Sequence, residues 1–307
     1  MRKRVTLGVV TGALALSGLA VPAAQADGDA HRQKDVAKTV EAVRAASDAA
    51  DGKSAFRAAA EPGVPFDLDL KFSGVKVNNG KPIVAGPTKQ VTVPVTYKIT
   101  HAKSVDIKAD DFIIDVELYR GQDGYLFGDY LPTCTPTSST TANCKGQIDI
   151  YPDLELINSD AGTWTAAGYA VALNGEDPLS ENPDWSKIGV VEQDKLTTAK
   201  LQRAPKLTVN ASPEPVKKGK TITVTGKLTR ANWETGTYTA YSSQSVKLQF
   251  RTKSATSYTT IKTIKSNSKG DLKTTVTASK DGYYRYSFAG TTTSPAVSAP
   301  GDFIDVK

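Results

Sequence analysis

The 307-residue chain has few of the residues from which metal centres and disulfide-rich scaffolds are built. It contains two Cys, two His, one Met and three Trp. Two His leave no room for a multi-histidine metal site, and two Cys cannot build a zinc finger that depends on four Cys or a dense disulfide framework. The remaining composition, 39% hydrophobic and 23% charged, is that of an ordinary globular protein. The length allows about two domains.

Motifs of the common enzyme classes are also missing. There is no G-x-S-x-G elbow and no H-E-x-x-H segment. Two Gly-Lys-Ser/Thr segments lack the first glycine of a phosphate-binding loop, because Ser47 and Glu214 stand there. A catalytic triad would have to use His101, since His31 lies in an N-terminal arm, and His101 is expected to be a solvated turn residue. The pattern favours a non-catalytic interaction or structural protein of the cell envelope or extracellular space. The alternatives are a calcium-binding extracellular module and a small secreted enzyme or enzyme inhibitor.

The N-terminus has the features of a secretory signal peptide over residues 1–26. Basic residues at 2–4 precede an apolar run over 5–20, and Ala-Gln-Ala at 24–26 has the small-x-small form of a cleavage site. The apolar run is shorter than the ~20 residues that a spanning helix needs. We therefore expect cleavage after Ala26 and a secreted, extracellular protein whose mature form has no membrane span.

The two cysteines are predicted to form a structural disulfide. An exported chain meets an oxidising environment in which disulfides persist. Cys134 and Cys144 are the only possible pair, and they enclose a polar loop over 135–143. Closing so short a loop is expected to contribute ~2–3 kcal/mol by restricting the unfolded chain. No C-x-x-C motif is present, so a redox role is disfavoured.

Residues 27–63 form an Ala-rich arm of mixed charge. Val36, Val40 and Val43 recur at helical spacing, but the apolar stripe is thin. An isolated helix of this kind is marginal in water, so the arm is predicted to be partly helical and mobile. A partner-binding helix is the alternative.

From residue 64 onward, apolar and polar residues alternate with a period of two. This pattern is clear over 66–72, 91–99 and 112–118, and it places one face of each strand on a core. Seven short strands follow a linker near 203–205, the number expected for an immunoglobulin-like sandwich. The predicted fold class is all-β, with two immunoglobulin-like β-sandwich domains after the signal peptide and the arm. The predicted bounds are 1–26 for the signal peptide, 27–63 for the arm, 64–202 for an acidic domain and 203–307 for a basic domain.

Charge divides sharply between the two predicted domains. Residues 64–202 contain 12 Lys and Arg against 19 Asp and Glu, whereas residues 203–307 contain 17 against 6. The net charges are therefore −7 and +11. Such an asymmetry bears on partners and solubility rather than on fold. Either the basic domain meets an anionic partner, or the opposite charges orient the two domains towards each other.

Several segments resemble the bacterial immunoglobulin-like modules of secreted actinobacterial proteins. In the basic domain these segments are Leu207–Thr221, Val224–Leu228, Val246–Arg251, Asn267–Gly270 and Asp281–Gly282, and in the acidic domain they are Val93–Tyr97 and Val116–Gly121. The resemblance implies an immunoglobulin-like fold and export. Some members of such families are labelled calcium-binding proteins, a label that implies no particular site residue.

Carboxylates near predicted strand ends are candidate calcium ligands, because calcium takes several oxygen ligands from neighbouring loops. No EF-hand loop is present. The alternative is that these residues keep an acidic domain soluble and protect sheet edges. No other cofactor is predicted. The candidate ligands are Asp106, Asp110, Asp111, Asp123 and Asp129.

The basic domain also carries a candidate binding surface in which aromatic residues accompany cations. Its members are Trp233, Tyr238, Tyr241, Lys247 and Arg251. Basic charge beside aromatic rings suits an anionic polymer. For an exported protein, an anionic cell-wall polymer or a glycan is favoured and nucleic acid is not predicted. The alternative is that the aromatic side chains pack on their own domain and the cations are simply solvated.

Overall fold

The computed structural model describes residues 36–47, 63–121 and 124–307. They divide into two compact units. The first contains Thr92–Ile150 and Thr163–Ala199 together with the described part of Met1–Lys81, and the second contains Pro82–Val91, Tyr151–Gly162 and Lys200–Lys307. The predicted signal peptide and most of the predicted arm lie outside the described residues. Among the described residues, no helix has the length and apolar character to cross a membrane.

Strands account for most of the described secondary structure. The first ten are β1 (Phe66–Asp67), β2 (Leu70–Val77), β3 (Ile83–Ala85), β4 (Val91–His101), β5 (Phe112–Arg120), β6 (Gly124–Leu126), β7 (Thr133–Ser138), β8 (Thr141–Ile150), β9 (Gly162–Ala172) and β10 (Gly189–Arg203). The next ten are β11 (Pro205–Leu207), β12 (Asn210–Ser212), β13 (Thr221–Asn232), β14 (Thr237–Ala240), β15 (Ser245–Thr252), β16 (Thr259–Lys265), β17 (Asp271–Thr277), β18 (Gly282–Phe288), β19 (Val297–Ser298) and β20 (Asp302–Ile304).

Among the described residues, helices are few and short. Helix α1 covers residues 36–47, and α2 covers Pro152–Glu155. Three 3-10 turns lie at Asn78–Gly80, Asn158–Asp160 and Trp185–Lys187.

The first unit is a sandwich of two sheets. One sheet has the order β1-β10-β9-β5-β6, and the other has the order β2-β4-β8-β7. In immunoglobulin lettering, β10, β9, β5 and β6 correspond to GFCC′ and the second sheet corresponds to ABED. Strand β1 is added in parallel beside β10. The sheets meet closely at Gly168 of β9, where a Cβ atom would come within 2.9 Å of the Phe72 ring on β2. A larger residue at this position would push the sheets apart.

Helix α1 packs on the outer face of the β9-containing sheet. Val40 and Val43 are buried there against side chains of that sheet, including Ile113 and Tyr169. The helical part of the predicted arm is therefore confirmed over 36–47. The structure adds a docking face for the thin valine stripe, because β5 buries residues on both of its sides.

The predicted disulfide is confirmed, and it lies within a hairpin rather than across a loop. Cys134 and Cys144 are bonded to each other and are directly opposed in the register of β7 and β8. Much of the segment predicted as a polar loop thus belongs to two paired strands, because its many Thr residues favour extended backbone.

The second unit is also a sandwich. One sheet joins β11, β12, β14 and β17 to β13, and the other has the order β16-β15-β18-β19 with β20 paired to β18. These sheets correspond to the ABE and C′CFG halves of an immunoglobulin-like domain. The core between them includes Ile222, Val246 and Tyr286, and the Tyr286 hydroxyl donates to the Val224 carbonyl at 2.9 Å. The predicted all-β, immunoglobulin-like sandwich fold is confirmed.

Segments distant in sequence also belong to the second unit. Strand β3 pairs in parallel with β10 through Ile83 and Leu201. Residues 82–91 and 151–162 were included in the predicted acidic domain, and the predicted boundary after Gln202 lies inside β10. The predicted domain bounds therefore differ from the bounds of the two compact units. The reason is that alternation along one strand gives no information on which distant strand it pairs with.

Candidate functional site

The outer side of the C′CFG sheet in the second unit presents cations and aromatic rings together. Alternation along β15 buries Val246 and Leu248 in the core and turns the side chains between them outward. Strand β18 alternates in the same way. We call this surface the basic face, and its members are Lys247, Gln249, Arg251, Lys253, Tyr258, Tyr283, Arg285 and Phe303.

Arg251 is stacked on an aromatic residue from the neighbouring strand. It is directly opposed to Tyr283 in the register of β15 and β18, and its guanidinium carbon lies 3.9 Å from the centre of the Tyr283 ring. Tyr283 in turn lies beside Phe303 of β20, with 5.1 Å between the ring centres. Such stacking holds a flexible cation in one place at the surface.

Arg285, the next outward residue of β18 after Tyr283, is also stacked on an aromatic ring. Its guanidinium carbon lies 3.8 Å from the ring centre of Tyr258, which precedes β16. The Arg251 guanidinium carbon is 5.3 Å from the same ring centre. One tyrosine therefore contacts both arginines, and the two positive charges are neighbours.

The basic face has no acidic residue within its three central strands. Strands β15, β16 and β18 contain no Asp or Glu, and β15 and β18 contribute the cations Lys247, Arg251 and Arg285. Like charges brought together in this way repel one another in the free protein. An anionic ligand would relieve that repulsion, so the electrostatics of the basic face favour a polyanion.

The structure separates the aromatic members of the sequence-predicted surface from its cations. Trp233 is buried at 1% exposure and donates its indole N–H to the Gly86 carbonyl at 2.9 Å. Tyr241 is buried at 7% exposure, and Tyr238 is half-buried beneath Lys206. Lys247 and Arg251 are the predicted members that lie on the basic face. Sequence reasoning missed Arg285, Tyr258, Tyr283 and Phe303.

The predicted calcium ligands do not converge among the described residues. Asp123 lies outside them. Asp106 accepts a hydrogen bond from the Lys108 amide, and Asp111 accepts one from the Gly175 amide at 2.7 Å. Within the described ranges, no group of three or more His, Cys, Asp or Glu side chains has a geometry that could hold a metal ion. Calcium binding stays a prediction from the sequence, and Asp110 and Asp129 stay candidate ligands within it.

A second surface feature is a pocket of about 360 Å³ in the first unit, beside the end of α1. Arg44 of α1 donates to Glu117 Oε1 at 2.9 Å and also pairs with Glu192. Burial raises the pKa of Glu117, and Arg44 opposes that rise. The Tyr119 hydroxyl donates to Asp194 at 2.5 Å. Glu117 and Glu192 are paired with Arg44, and Asp194 is hydrogen-bonded to Tyr119. The polar groups of the pocket therefore help to hold α1 on the sheet.

The expectation that His101 is a solvated turn residue is wrong. This is the histidine that a catalytic triad would have had to use. It is buried at 7% exposure, and its Nδ1 atom lies 3.0 Å from the Ala102 carbonyl oxygen. The residue is therefore not a solvated turn residue, because β4 continues to His101 and pairs it with Leu70.

Comparison with known proteins gives no family for the chain. No protein-family model matches it, and no curated protein matches it. Among solved structures, the full ectodomain of mouse nectin-like molecule 4 aligns at 11% identity and a TM-score of 0.22, over 79% of this chain and 65% of that one. The Yersinia pseudotuberculosis adhesin InvE aligns at 11% identity and a TM-score of 0.23, over 77% and 60%.

The D00-D0 domain of intimin aligns at 13% identity and a TM-score of 0.24, over 75% of this chain and 98% of that one. This chain therefore spans less than two thirds of the nectin-like and InvE structures. At these identities and TM-scores, the fold assignment rests on the strand topology described above.

Proposed function

We propose that this chain is an exported, non-catalytic interaction protein that binds an anionic polymer outside the cell through the basic face. The observation that carries the proposal is the stacked pair Arg251 and Arg285 on strands that contain no acidic residue. The net charge of +11 over residues 203–307 supports it, since long-range attraction brings a polyanion to this part of the chain.

Extracellular placement is part of the same proposal. The N-terminal residues have the pattern of a secretory signal, and the structure contains a disulfide, a bond that persists in oxidising compartments. A cell-wall polymer or an acidic glycan is the expected partner in that location. The non-catalytic role is supported by the lack of a recognisable enzyme motif in the sequence.

Equilibrium binding at increasing salt tests the proposal. The purified protein is titrated with polygalacturonate and with polyphosphate. About three charge contacts predict a slope of roughly −2 to −3 for log K against log salt, and hence a loss of about tenfold or more between ~50 and ~200 mM salt. No binding, or binding that does not respond to salt, would contradict the proposal.

A matched pair of double variants localises the binding. Arg251→Gln with Arg285→Gln removes two charges from the basic face. Lys206→Gln with Lys273→Gln removes two charges from strands β11 and β17 of the other sheet. The first variant is expected to lose most of the affinity and the second to keep it. Equal losses would show that net charge, rather than the basic face, determines binding.

A further inference from the structure

We infer that the aromatic rings of the basic face are positioning residues, and that the ligand is recognised through its closely spaced oxyanions rather than through sugar rings or bases. This inference rests on the proposed function and makes it more specific. It identifies the ligand as a linear polymer with repeated carboxylate or phosphate groups. Either group matches the edge of a guanidinium, which binds such oxyanions with two parallel hydrogen bonds.

The first step in the argument is the way Arg251 is held. Its Nη1 atom donates to the Ala255 carbonyl at 3.0 Å and lies 3.5 Å from the Lys253 carbonyl. One face of the guanidinium lies on Tyr283. These contacts fix the plane of the group and use one of its nitrogen atoms. The Nε and Nη2 atoms form an edge that is left for an anion.

Arg285 is held at its Nε atom, whereas Arg251 is held at its Nη1 atom. Its Nε atom donates to Gln249 Oε1 at 2.8 Å, and its guanidinium lies against Tyr258. The Nη1 and Nη2 atoms therefore form the edge left for an anion. Each arginine is braced by one ring and by at least one hydrogen bond, so little side-chain entropy is lost when an oxyanion binds.

The shared ring sets the spacing of the two edges. Both guanidinium carbons lie within 5.3 Å of the Tyr258 ring centre. A single oxyanion can satisfy one edge, whereas two neighbouring groups on one polymer can satisfy both. Linking two weak contacts on one ligand raises the affinity well above that of either contact alone. The arrangement therefore favours a polymer over its monomer.

The rings themselves are not arranged as stacking platforms. Tyr283 contacts both Arg251 and Phe303, and Tyr258 contacts both arginines. The Tyr258 hydroxyl also lies so close to Gly301 that a Cβ atom there would come within 2.2 Å of it. Rings that are engaged by cations and neighbours in this way support the arginines and offer little free surface to a sugar or a base.

The test compares ring-removing and ring-keeping variants at unchanged net charge. Affinity for polygalacturonate and for polyphosphate is measured for Tyr258→Leu, Tyr283→Leu, Tyr258→Phe and Tyr283→Phe. Loss of a ring is expected to weaken binding by about two- to fivefold at each position, because the cation–π contact and the brace are lost. The Phe variants keep the ring and are expected to bind like the unchanged protein. Arg251→Lys keeps the charge but is expected to lose affinity, since an ammonium has no bidentate edge.

Ligand identity provides an independent readout. Polygalacturonate presents carboxylates, polyphosphate presents phosphates, dextran presents neutral sugar rings, and a single-stranded DNA homopolymer presents phosphates with bases. We expect both simple polyanions to bind, dextran not to bind, and galacturonate monomer and inorganic phosphate to bind about a hundredfold or more weakly. DNA is expected to bind no better than polyphosphate of equal charge.

The possible failures are distinguishable. If the Arg251→Gln and Arg285→Gln double variant loses binding but the Leu variants bind normally, the proposed function stands and the inference about the rings is wrong. Binding of dextran, or much tighter binding of DNA than of polyphosphate, would also overturn it. Absence of binding to any polyanion would remove the proposed function itself. If Tyr258→Leu does not fold, Gly301→Ala replaces it, because the added Cβ atom would come within 2.2 Å of the Tyr258 hydroxyl and so displace the ring without changing charge. Binding is then expected to weaken as in the Leu variant.

Discussion

Loss of the Arg44 charge is expected to release α1 from the first unit. Arg44→Met keeps most of the side-chain length but leaves Glu117, whose side chain is 9% exposed, without its ion pair. Removing one partner of a fully buried pair costs about 3–5 kcal/mol. The Arg44 side chain is 34% exposed, so solvent screens the pair and the expected cost is ~1–3 kcal/mol.

This cost is comparable with the contribution of one buried valine of α1. Val43 is fully buried at 0% exposure and Val40 at 5%, and full burial of a valine contributes ~1.5–3 kcal/mol. Because the ion pair contributes to docking on the same scale as these contacts, its loss is expected to shift α1 towards its undocked form.

Hydrogen exchange measured by mass spectrometry checks this prediction. Peptides within 36–47 are expected to exchange about five- to a hundredfold faster in Arg44→Met, while peptides covering β18 keep their protection. Lys38→Met is the control, because it removes a charge from an exposed position of the same helix. Unchanged protection of α1 in Arg44→Met would refute the reasoning, and so would equal acceleration in both variants.

Three further changes have defined outcomes. Replacing Cys134 and Cys144 by Ala is expected to lower the free energy of unfolding by ~2–3 kcal/mol in denaturant melts, and an unchanged midpoint would count against a stabilising disulfide. Burial raises the pKa of Asp115 well above its ordinary value of 3.8, so the folded state holds this proton more tightly and stability is lost as the pH rises above about 4. Asp115→Asn is expected to remove that loss of stability, and identical pH dependence of melting in the two proteins would contradict this prediction. Trp233→Phe breaks the hydrogen bond to Gly86 and leaves a void, at an expected cost of ~1–3 kcal/mol, whereas a matching loss of polyanion affinity would place Trp233 in the binding surface.

The part of the fold that depends on local alternation could be predicted from the sequence. The alternation along β15 predicts that Lys247 and Arg251 share one outward face, and in the structure both lie on that face. The pattern of β18 contains the same information for Tyr283 and Arg285. Recognising all four as one surface requires the pairing of β15 with β18, and strand pairing is a property of the folded chain rather than of either segment.

The remaining differences have the same origin. The sequence places Trp233 in a loop between two predicted strands. In the structure its indole N–H donates a hydrogen bond to the Gly86 carbonyl, 147 residues earlier in the chain. The valine stripe of α1 alone predicts only a marginal helix. Its docking face lies on the sheet that contains β5, β9 and β10, and the acidic partners of Arg44 come from β5 and β10. In each case a contact distant in sequence supplies the burial or the partner that local pattern lacks.

A binding footprint on the whole protein tests the central claim most directly. Hydrogen exchange is measured with and without saturating polygalacturonate, and protection is mapped along the chain. We expect added protection in peptides that cover β15, β18 and the segment around Tyr258, and none in β13 or β17 of the opposite sheet. Protection confined to the opposite sheet or to the first unit, with β15 and β18 unchanged, would contradict the account.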